Sequence, residues 1–510
     1  MPIDVEVCII GAGAAGLKAA HTLLTKSDSL TQNDIIVVEA QDRVGGRLYT
    51  DRTSSKIGLH YDLGASWFHD CLSNVVFQHF YSGEGEGDKE IFDILSDGYF
   101  DDKPVKVFSS DEIAEIDMHK TNMETITNDI ESFCELYFID KLSTDEDITL
   151  KQLVELYIQK YSKILTEQEK KYAKVTMRYY ELWHGVSWDR LSARYAVLDH
   201  NGRDLFNKKG YDFLINWLLQ IGISRDRVLL NSPVSKIYRD ASKLVGNRRH
   251  RKCAVEIRGS SELIYCDYLV VTVPQSILSL DHKVEPNYGI EWVPVLPASM
   301  QTALKNIHFG ALGKVIFEFD SVWWNKNQDR FFILADENVA TDGIETLTSL
   351  PKPFSFPALA INSSNIHKSD KGSLIILTQT PLTEYLESNP DQAWSYYGPM
   401  LARISSTPYS PPPAPINTIT TKWTTNPYIR GSYVACYKGD DPTEIISQLS
   451  GEIDGMGLSS STIRFAGEHT SFEGEGCVHG AWMSGMREAE WILKHSGRGE
   501  VTKKLDKWRL

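Results

Sequence analysis

The 510-residue chain has no run of about 20 consecutive apolar residues, so no helix in it is expected to cross a membrane. It has no excess of basic charge. Lys and Arg number 53 against 68 Asp and Glu, a formal net charge of −15. A nucleic-acid binder needs a basic footprint, so that class is set aside, and the acidic balance suits cationic substrates. Cysteine is sparse: seven scattered residues, odd in number and without a Cys-x-x-Cys pair. That argues against a disulfide framework and a zinc site, and fits a reducing compartment. A secretory signal is also missing. The apolar N-terminus lacks a basic region and a small-residue cleavage site, so a cytoplasmic protein is expected. The ending Trp508-Arg509-Leu510 only faintly resembles a peroxisomal address, because its first residue is large. No internal repeat is present, and nothing speaks to oligomeric state.

What is present begins at once. Val5 to Ile10 reads as a strand, Gly11-Ala12-Gly13-Ala14-Ala15-Gly16 as a glycine turn opening a helix, and Ile35-Ile36-Val37-Val38 as a second strand ending in Glu39. Gly11 permits the tight turn, Gly13 lets main-chain N–H groups approach a pyrophosphate, and Gly16 lets helix and strand pack closely. The helix N-terminus adds partial positive charge. Glu39, 23 residues after Gly16, is placed to accept ribose hydroxyls. A tight turn without a ligand would not explain the second turn, Arg43-Val44-Gly45-Gly46-Arg47. Its glycines free further N–H donors, and its arginines can neutralise phosphates. A nicotinamide site has no need of that element directly after the acid, whereas FAD would use it.

The patterns along the chain alternate. From about 108 to 200 the spacing is helical: Ile113, Ile116 and Met118 precede Ile126, Ile130, Phe133, Leu136 and Tyr137. Strands return at Val228-Leu229-Leu230, Val234 to Ile237 and Tyr268 to Val273. The basic run Asn247 to Lys252 lies between strands and reads as a hairpin tip. Val315 to Phe319 and Leu374 to Leu377 are further strands, and Pro408 to Pro415 a stiff connection. Ile463 to Phe465 is a strand leading into Gly467-Glu468. A helix is expected to begin near Gly476, carrying the small residues Gly480, Ala481, Ser484 and Gly485. The fold class read from this order is α/β: a Rossmann-like FAD-binding domain assembled from separated segments, plus a substrate domain of mixed sheet and helices. The expected FAD-binding segments are 1–75, 205–285 and 415–495. The expected substrate segments are 76–204 and 286–414, with a basic tail over 496–510.

Several blocks then converge. Alongside the two glycine turns stand Gly64-Ala65-Ser66-Trp67, Tyr180-Glu181-Leu182-Trp183-His184-Gly185, Val273-Pro274 and His308-Phe309-Gly310-Ala311-Leu312-Gly313-Lys314-Val315-Ile316-Phe317. The C-terminal set is Trp423, Pro427-Tyr428, Arg430-Gly431-Ser432-Tyr433 and Phe465-Ala466-Gly467-Glu468-His469-Thr470. With these the chain resembles the flavin-containing amine oxidases, and more closely the fungal polyamine oxidases. The resemblance covers nearly the whole chain. It is weakest from about 78 to 170 and from about 325 to 370.

The resemblance implies FAD as cofactor, with O₂ and a small-molecule polyamine as reactants. It implies cofactor contacts from Gly11, Gly13, Ala14, Ala15, Gly16, Glu39, Ala40, Arg43, Gly46, Arg47, Gly64, Ala65, Ser66, Trp67, Val234, Trp423, Gly467, Glu468, Cys477 and Val478. Cys477 matches an aromatic-cage tyrosine of the family, not the cysteine that tethers flavin in some monoamine oxidases. The tether position falls nearer Ser432, so a non-covalent flavin is expected. The N–H groups of Cys477 and Val478, at a helix start, are expected by the flavin N1–C2=O edge.

Read from the residues alone, Lys314 is a surface lysine on an edge strand. The resemblance instead makes it a buried amine holding a water near flavin N5, with a lowered pKa. His69 is expected near the substrate amine, where its other reading is a structural histidine. Tyr433 is expected as one wall of the aromatic cage. Trp183-His184 and the acids Asp93, Asp97, Asp101 and Asp102 are candidates for a channel lining, with a solvated acidic loop as the other reading. Three alternatives stand beside polyamine oxidation: a flavoprotein that binds an apolar ligand such as a steroid, an amino-acid oxidase, and a nicotinamide dehydrogenase. The third lacks a reason for Arg43 to Arg47, and the second lacks a recognisable arginine for a substrate carboxylate. No metal site is expected.

Overall fold

The computed structural model describes residues 3–81, 99–100, 103–197, 202–247, 249–407, 410–450 and 462–498. Contacts divide the chain into two compact units. One holds Met1–Tyr49, Gly210–Lys305 and Pro442–Leu510, and the other Thr50–Lys209 and Asn306–Asp441.

The first unit is centred on a five-stranded parallel sheet. Its order is Val228–Leu229, Ile35–Val38, Val7–Ile10, Tyr268–Val271 and Ile463–Phe465. The three middle strands are buried at every residue. Their continuous β-branched and aliphatic sequences are what a parallel sheet covered on both faces requires. The helix Ala14–Thr25 follows the first strand, and the helix Val478–His495 packs along it. A side-chain carbon at Gly485 would stand 2.2 Å from the Ala15 carbonyl oxygen, so the small residues of the second helix serve backbone-to-backbone approach. A second sheet joins Ile3–Asp4, Leu263–Cys266, Cys253–Ile257, Val234–Tyr238 and Glu291–Val293. The basic run lies in its hairpin between Val234–Tyr238 and Cys253–Ile257. There Arg251 is buried and paired with Asp4 at 2.9 Å and with Asp267, which uses its charge inside the fold.

The second unit is centred on a six-stranded sheet, ordered Asn417–Thr420, Gly313–Phe319, Gly372–Thr378, Ala358–Asn362, Arg330–Ile333 and Lys106–Phe108. Gly313–Phe319 and Gly372–Thr378 are buried throughout, and period-2 alternation sends their residues to opposite faces. Val315, Phe317 and Phe319 pack with Tyr396, Tyr397 and Met400 on one face. Ile316 packs with Tyr61, Leu377 and Trp423 on the other. The helices Met123–Phe138, Leu150–Lys160 and Glu167–Met177 occupy the stretch read as helical. The last two start on capping boxes, Thr149 with Gln152 and Thr166 with Glu169. Ile113, Ile116 and Met118 precede these helices, and Ile116 instead bridges to Val107. The C-terminal helix starts at Val478, two residues after the expected start.

The unit borders differ from the expected ones for reasons of strand pairing. Trp67–Phe68 pairs with Leu205–Phe206, and Asn417–Thr420 pairs with Gly313–Phe319. Residues 50–75, 205–209 and 415–441, expected with the FAD-binding segments and including Gly64, Ala65, Ser66, Trp67 and Trp423, fall in the second unit. Glu291–Val293 pairs with Val234–Tyr238, so the first unit extends past 285 to Lys305. Asp93, Asp97, Asp101, Asp102, Arg248, Pro408 and residues 499–510 lie outside the described residues.

Candidate functional site

In the first unit the glycines of the opening turn are glycine for different reasons. Gly11 has φ +107°, and an added carbon would meet Thr272 Oγ1 at 2.4 Å. At Gly16 it would meet the Gly11 carbonyl oxygen at 2.0 Å, which fixes the close helix–strand packing. Gly13 is different. Its φ is −84°, and the nearest atom to an added carbon is 3.9 Å away. Neither conformation nor internal packing demands glycine there. Gly13 also caps the helix Ala14–Thr25 without a side-chain cap, so Ala14 and Ala15 stand in a first turn of the kind that can take an anion. The second turn lies beside it: Gly13 bridges to Gly45, and Gly46 has φ +57°.

Glu39 ends the strand Ile35–Val38 and is followed by Ala40. One carboxylate oxygen accepts from Ala12 N–H at 2.8 Å and the other from Gln41 N–H at 2.9 Å. Burial pushes its pKa up, and those two N–H groups pull it back. Both arginines have partners inside the fold. Arg43 donates to the carbonyls of Val44 and Gly46, at 3.2 and 2.8 Å, and stacks over Tyr49. Arg47 pairs with Glu468 at 2.7 Å. The pairings hold the second turn in shape and tie it to the distant Gly467-Glu468 block.

In that block Gly467 has φ +141°, and the His469 ring fills the place of its missing side chain, 2.5 Å from the position of an added carbon. The Gly467 N–H donates to Ser484 Oγ at 2.9 Å. Glu468 also accepts from Gly476 N–H at 3.0 Å, which shapes the turn before the C-terminal helix. Burial drives His469 down to about 4, so its ring is neutral. Burial, and then the neighbouring Glu468, lift the Glu475 carboxyl to about 8. Cys477 caps the helix, and its own N–H donates to the Gly474 carbonyl at 2.9 Å. Of the two N–H groups expected at the flavin edge, Cys477 thus spends its own inside the turn. Val478, as first helical residue, has no carbonyl one turn earlier to reach. Val234 is buried at the start of its strand.

In the second unit Lys314 overturns the surface reading. It lies on Gly313–Phe319, an internal strand of the sheet, and is 5% exposed. Its ammonium donates to the Asp62 carbonyl at 2.7 Å, the Gly64 carbonyl at 2.5 Å and Ser66 Oγ at 2.6 Å. Three donors meet three acceptors, and the Trp67 ring stands 5.9 Å away. Burial lowers its pKa to about 8, with the Asp62 carboxylate opposing the shift. Four residues along, Glu318 is held by Ser55, Lys56, Tyr61 and Asn417. One face of this strand therefore grips the segment from 55 to 66 at both ends. Trp423 is buried on the same side and donates its indole N–H to the Leu63 carbonyl at 2.8 Å.

His69 Nδ1 lies 3.0 Å from Asp204 Oδ2, and its ring stacks on Trp67. The Tyr433 hydroxyl donates to the Trp183 carbonyl, which pins the edge of that ring. Gly310 N–H donates to the Tyr433 carbonyl at 2.8 Å. His184 bonds the Ala196 carbonyl at 2.9 Å, a structural contact. Sequence reasoning missed Asp204 and the carbonyls of Asp62 and Gly64. No spacing could reveal them, because Asp204 is 135 residues from His69 and backbone acceptors carry no residue signature.

A family model described as flavin containing amine oxidoreductase matches residues 14–493. The chain belongs to this family. Among its relatives, the corticosteroid-binding protein of Candida albicans is 50% identical over 500 residues, covering 98% of this chain and 97% of that protein. A probable polyamine oxidase 4 of Arabidopsis thaliana is 24% identical over 527 residues, covering 98% and 90%. Among solved structures, a cofactor-binding redesign of putrescine oxidase superposes with TM-score 0.66 at 17% identity, covering 97% of this chain and 99% of that one. That last likeness bears on the fold, which is the two-domain amine oxidase fold. A member of the flavin-containing amine oxidoreductases carries a flavin, and the residues present fit one. An added carbon at Gly13 would meet nothing closer than 3.9 Å, the helix it opens has no side-chain cap, and Glu39 ends the neighbouring strand.

Proposed function

We propose that the chain is an FAD-dependent polyamine oxidase, acting on spermine or an N-acetylated relative, with FAD held non-covalently and O₂ as the acceptor. The observation that carries the reading is Lys314, a lysine buried on an internal strand with all three donors placed and its pKa brought down to about 8. A purely structural position seldom keeps so costly a group. The polyamine assignment draws support from relatives named polyamine oxidases and from the His69–Asp204 pair.

Bound FAD supplies a two-electron acceptor for the C–H bond beside the amine and a route to O₂. Gly11, Gly13, Gly16, Glu39 and the turn Arg43 to Arg47 would hold the dinucleotide, and Val478 N–H, at the positive end of its helix, would stabilise negative charge on it. His69 receives a proton from the substrate ammonium, because the reacting nitrogen must be neutral. Tyr433 excludes water along one side and holds the amine by its ring face. Lys314 handles protons as the oxidised product takes up water. The balance is amine, O₂ and H₂O giving a shorter amine, an aminoaldehyde and H₂O₂.

A second reading keeps the flavin and replaces turnover by binding of an apolar ligand such as a steroid. It is favoured by the 50% identity to a protein named for corticosteroid binding. The purified flavoprotein, mixed with spermine in air, separates the two. The oxidase reading expects one H₂O₂ per amine consumed. Absence of peroxide with spermine and its N-acetylated relative, together with saturable corticosterone binding, would establish the second reading instead.

A further inference from the structure

The ladder Trp67–Phe68 against Leu205–Phe206 is antiparallel, with Trp67 opposite Phe206 and Phe68 opposite Leu205. Continued by one residue, that register puts His69 opposite Asp204, and there the two side chains meet at 3.0 Å. Closely opposed cross-strand positions bring Cβ atoms near enough for such a pair without long side chains. Just past this pair the register slips by one residue at Asp70, and Cys71 N–H donates to the Arg203 carbonyl at 3.0 Å.

Both partners are fixed. Asp204 Oδ1 accepts from the Asp70 N–H at 3.1 Å, so the carboxylate is gripped by two consecutive residues through its two oxygens. Asp70 itself has φ +52°, a left-handed turn that points its N–H back at that oxygen. The His69 ring is stacked on Trp67 with 22° between planes, and Asn74 Nδ2 holds the His69 carbonyl at 2.7 Å. Side-chain exposures of 21% for His69 and 27% for Asp204 leave the pair partly open to solvent.

A carboxylate only accepts, so the contact places the imidazole proton on Nδ1 and the ring lone pair on Nε2. We propose that Asp204 is a positioning residue that sets the tautomer and orientation of His69, presenting Nε2 as the acceptor for a substrate ammonium proton. This rests on the polyamine-oxidase reading for the identity of the substrate, and on the contact alone for the tautomer. The arrangement follows the logic by which a buried carboxylate orients a catalytic imidazole elsewhere.

The test compares wild type, D204N, D204E and H69Q as flavin-loaded full-length proteins. Histidine ¹⁵N spectra, with the His69 signals identified by their loss in H69Q, report the tautomer without any amine. The wild type is expected to show protonated Nδ1. D204N is expected to lose that preference, and D204E to recover most of it. With spermine, D204N is expected to lower kcat/KM about tenfold near neutral pH and to move the acid limb of its pH profile, with no further loss when combined with H69Q. An unchanged His69 tautomer in D204N would overturn the proposal, as would an equal loss in the H69Q background. A changed tautomer with no turnover on any amine would uphold the positioning role and count against the oxidase reading alone.

Discussion

The two units build their chemistry from different materials. In the unit of Gly11 to Gly16 the working groups are mainly main-chain: the uncapped N–H groups opened by Gly13, the Gly45-Gly46 turn beside it and the first N–H of the helix at Val478. Side chains there mostly brace the backbone, as Arg43 does for its own turn and Arg47 does for Glu468. In the unit of Lys314 the working groups are side chains held by backbone: an ammonium on two carbonyls, a ring hydroxyl on another, an imidazole on a gripped carboxylate. Main-chain donors suit a constant diphosphate and ring, which every member of the family must hold. Titratable side chains suit a reaction in which protons move.

If that contrast is right, substitutions in the first unit should affect cofactor retention, and those in the second should affect pH behaviour. The largest expected effect is Gly16→Ala. The added carbon would lie 2.0 Å from a backbone oxygen with no room to yield, so a loss of about 3 kcal/mol or more in stability is expected by denaturant unfolding. Gly13→Ala sharpens the case. Its carbon meets nothing within 3.4 Å, so stability of the FAD-free protein should change by no more than about 0.5 kcal/mol, while FAD affinity falls at least about tenfold. Equal FAD affinity in Gly13→Ala would remove the ligand as the reason for that glycine.

In the second unit, Lys314→Met should leave FAD content intact and change the pH dependence of stability. Burial brings Lys314 from 10.5 to about 8, so the unfolded chain binds the extra proton between those values. Folding carries the full penalty of a buried ammonium below about pH 8, and the penalty is relieved as pH rises towards 10.5. The melting temperature of wild type relative to Lys314→Met should therefore climb between pH 8 and 10.5. A flat difference would mean that Lys314 is not held as described. The smallest effect is expected for Glu39→Gln. It keeps the acceptor toward Ala12 but loses charge, weakening FAD by several-fold in a fluorescence titration without altering the pH profile of turnover.

The same contrast governs what could be read from the sequence. The first unit's signal is local: Gly11, Gly13, Gly16 and Glu39 lie within one strand–helix–strand unit, and their spacing expresses the geometry directly. The second unit's groups are brought together by a sheet. Lys314 reaches Ser66 across 248 residues and His69 meets Asp204 across 135, so neither contact leaves a periodicity. Family resemblance supplied Lys314, His69 and Tyr433 but not their partners. It also drew Gly64 to Trp67 and Trp423 into the cofactor-binding segments, because motif order along the chain does not record that Asn417–Thr420 and Trp67–Phe68 pair with strands of the other unit. The internal partners of the arginines were not legible either: Arg43 holds carbonyls of its own turn, and Arg47 pairs with Glu468, 421 residues away.

The central claim, that an amine gives its electrons to a flavin held by this chain, is tested most directly by anaerobic rapid mixing. The flavin-loaded protein is mixed with spermine, N-acetylspermine, spermidine and a monoamine, and flavin absorbance near 450 nm is followed. The account predicts bleaching with at least one polyamine, at a rate that rises with pH as the reacting nitrogen loses its proton. A flavin that keeps its colour with every amine would contradict it.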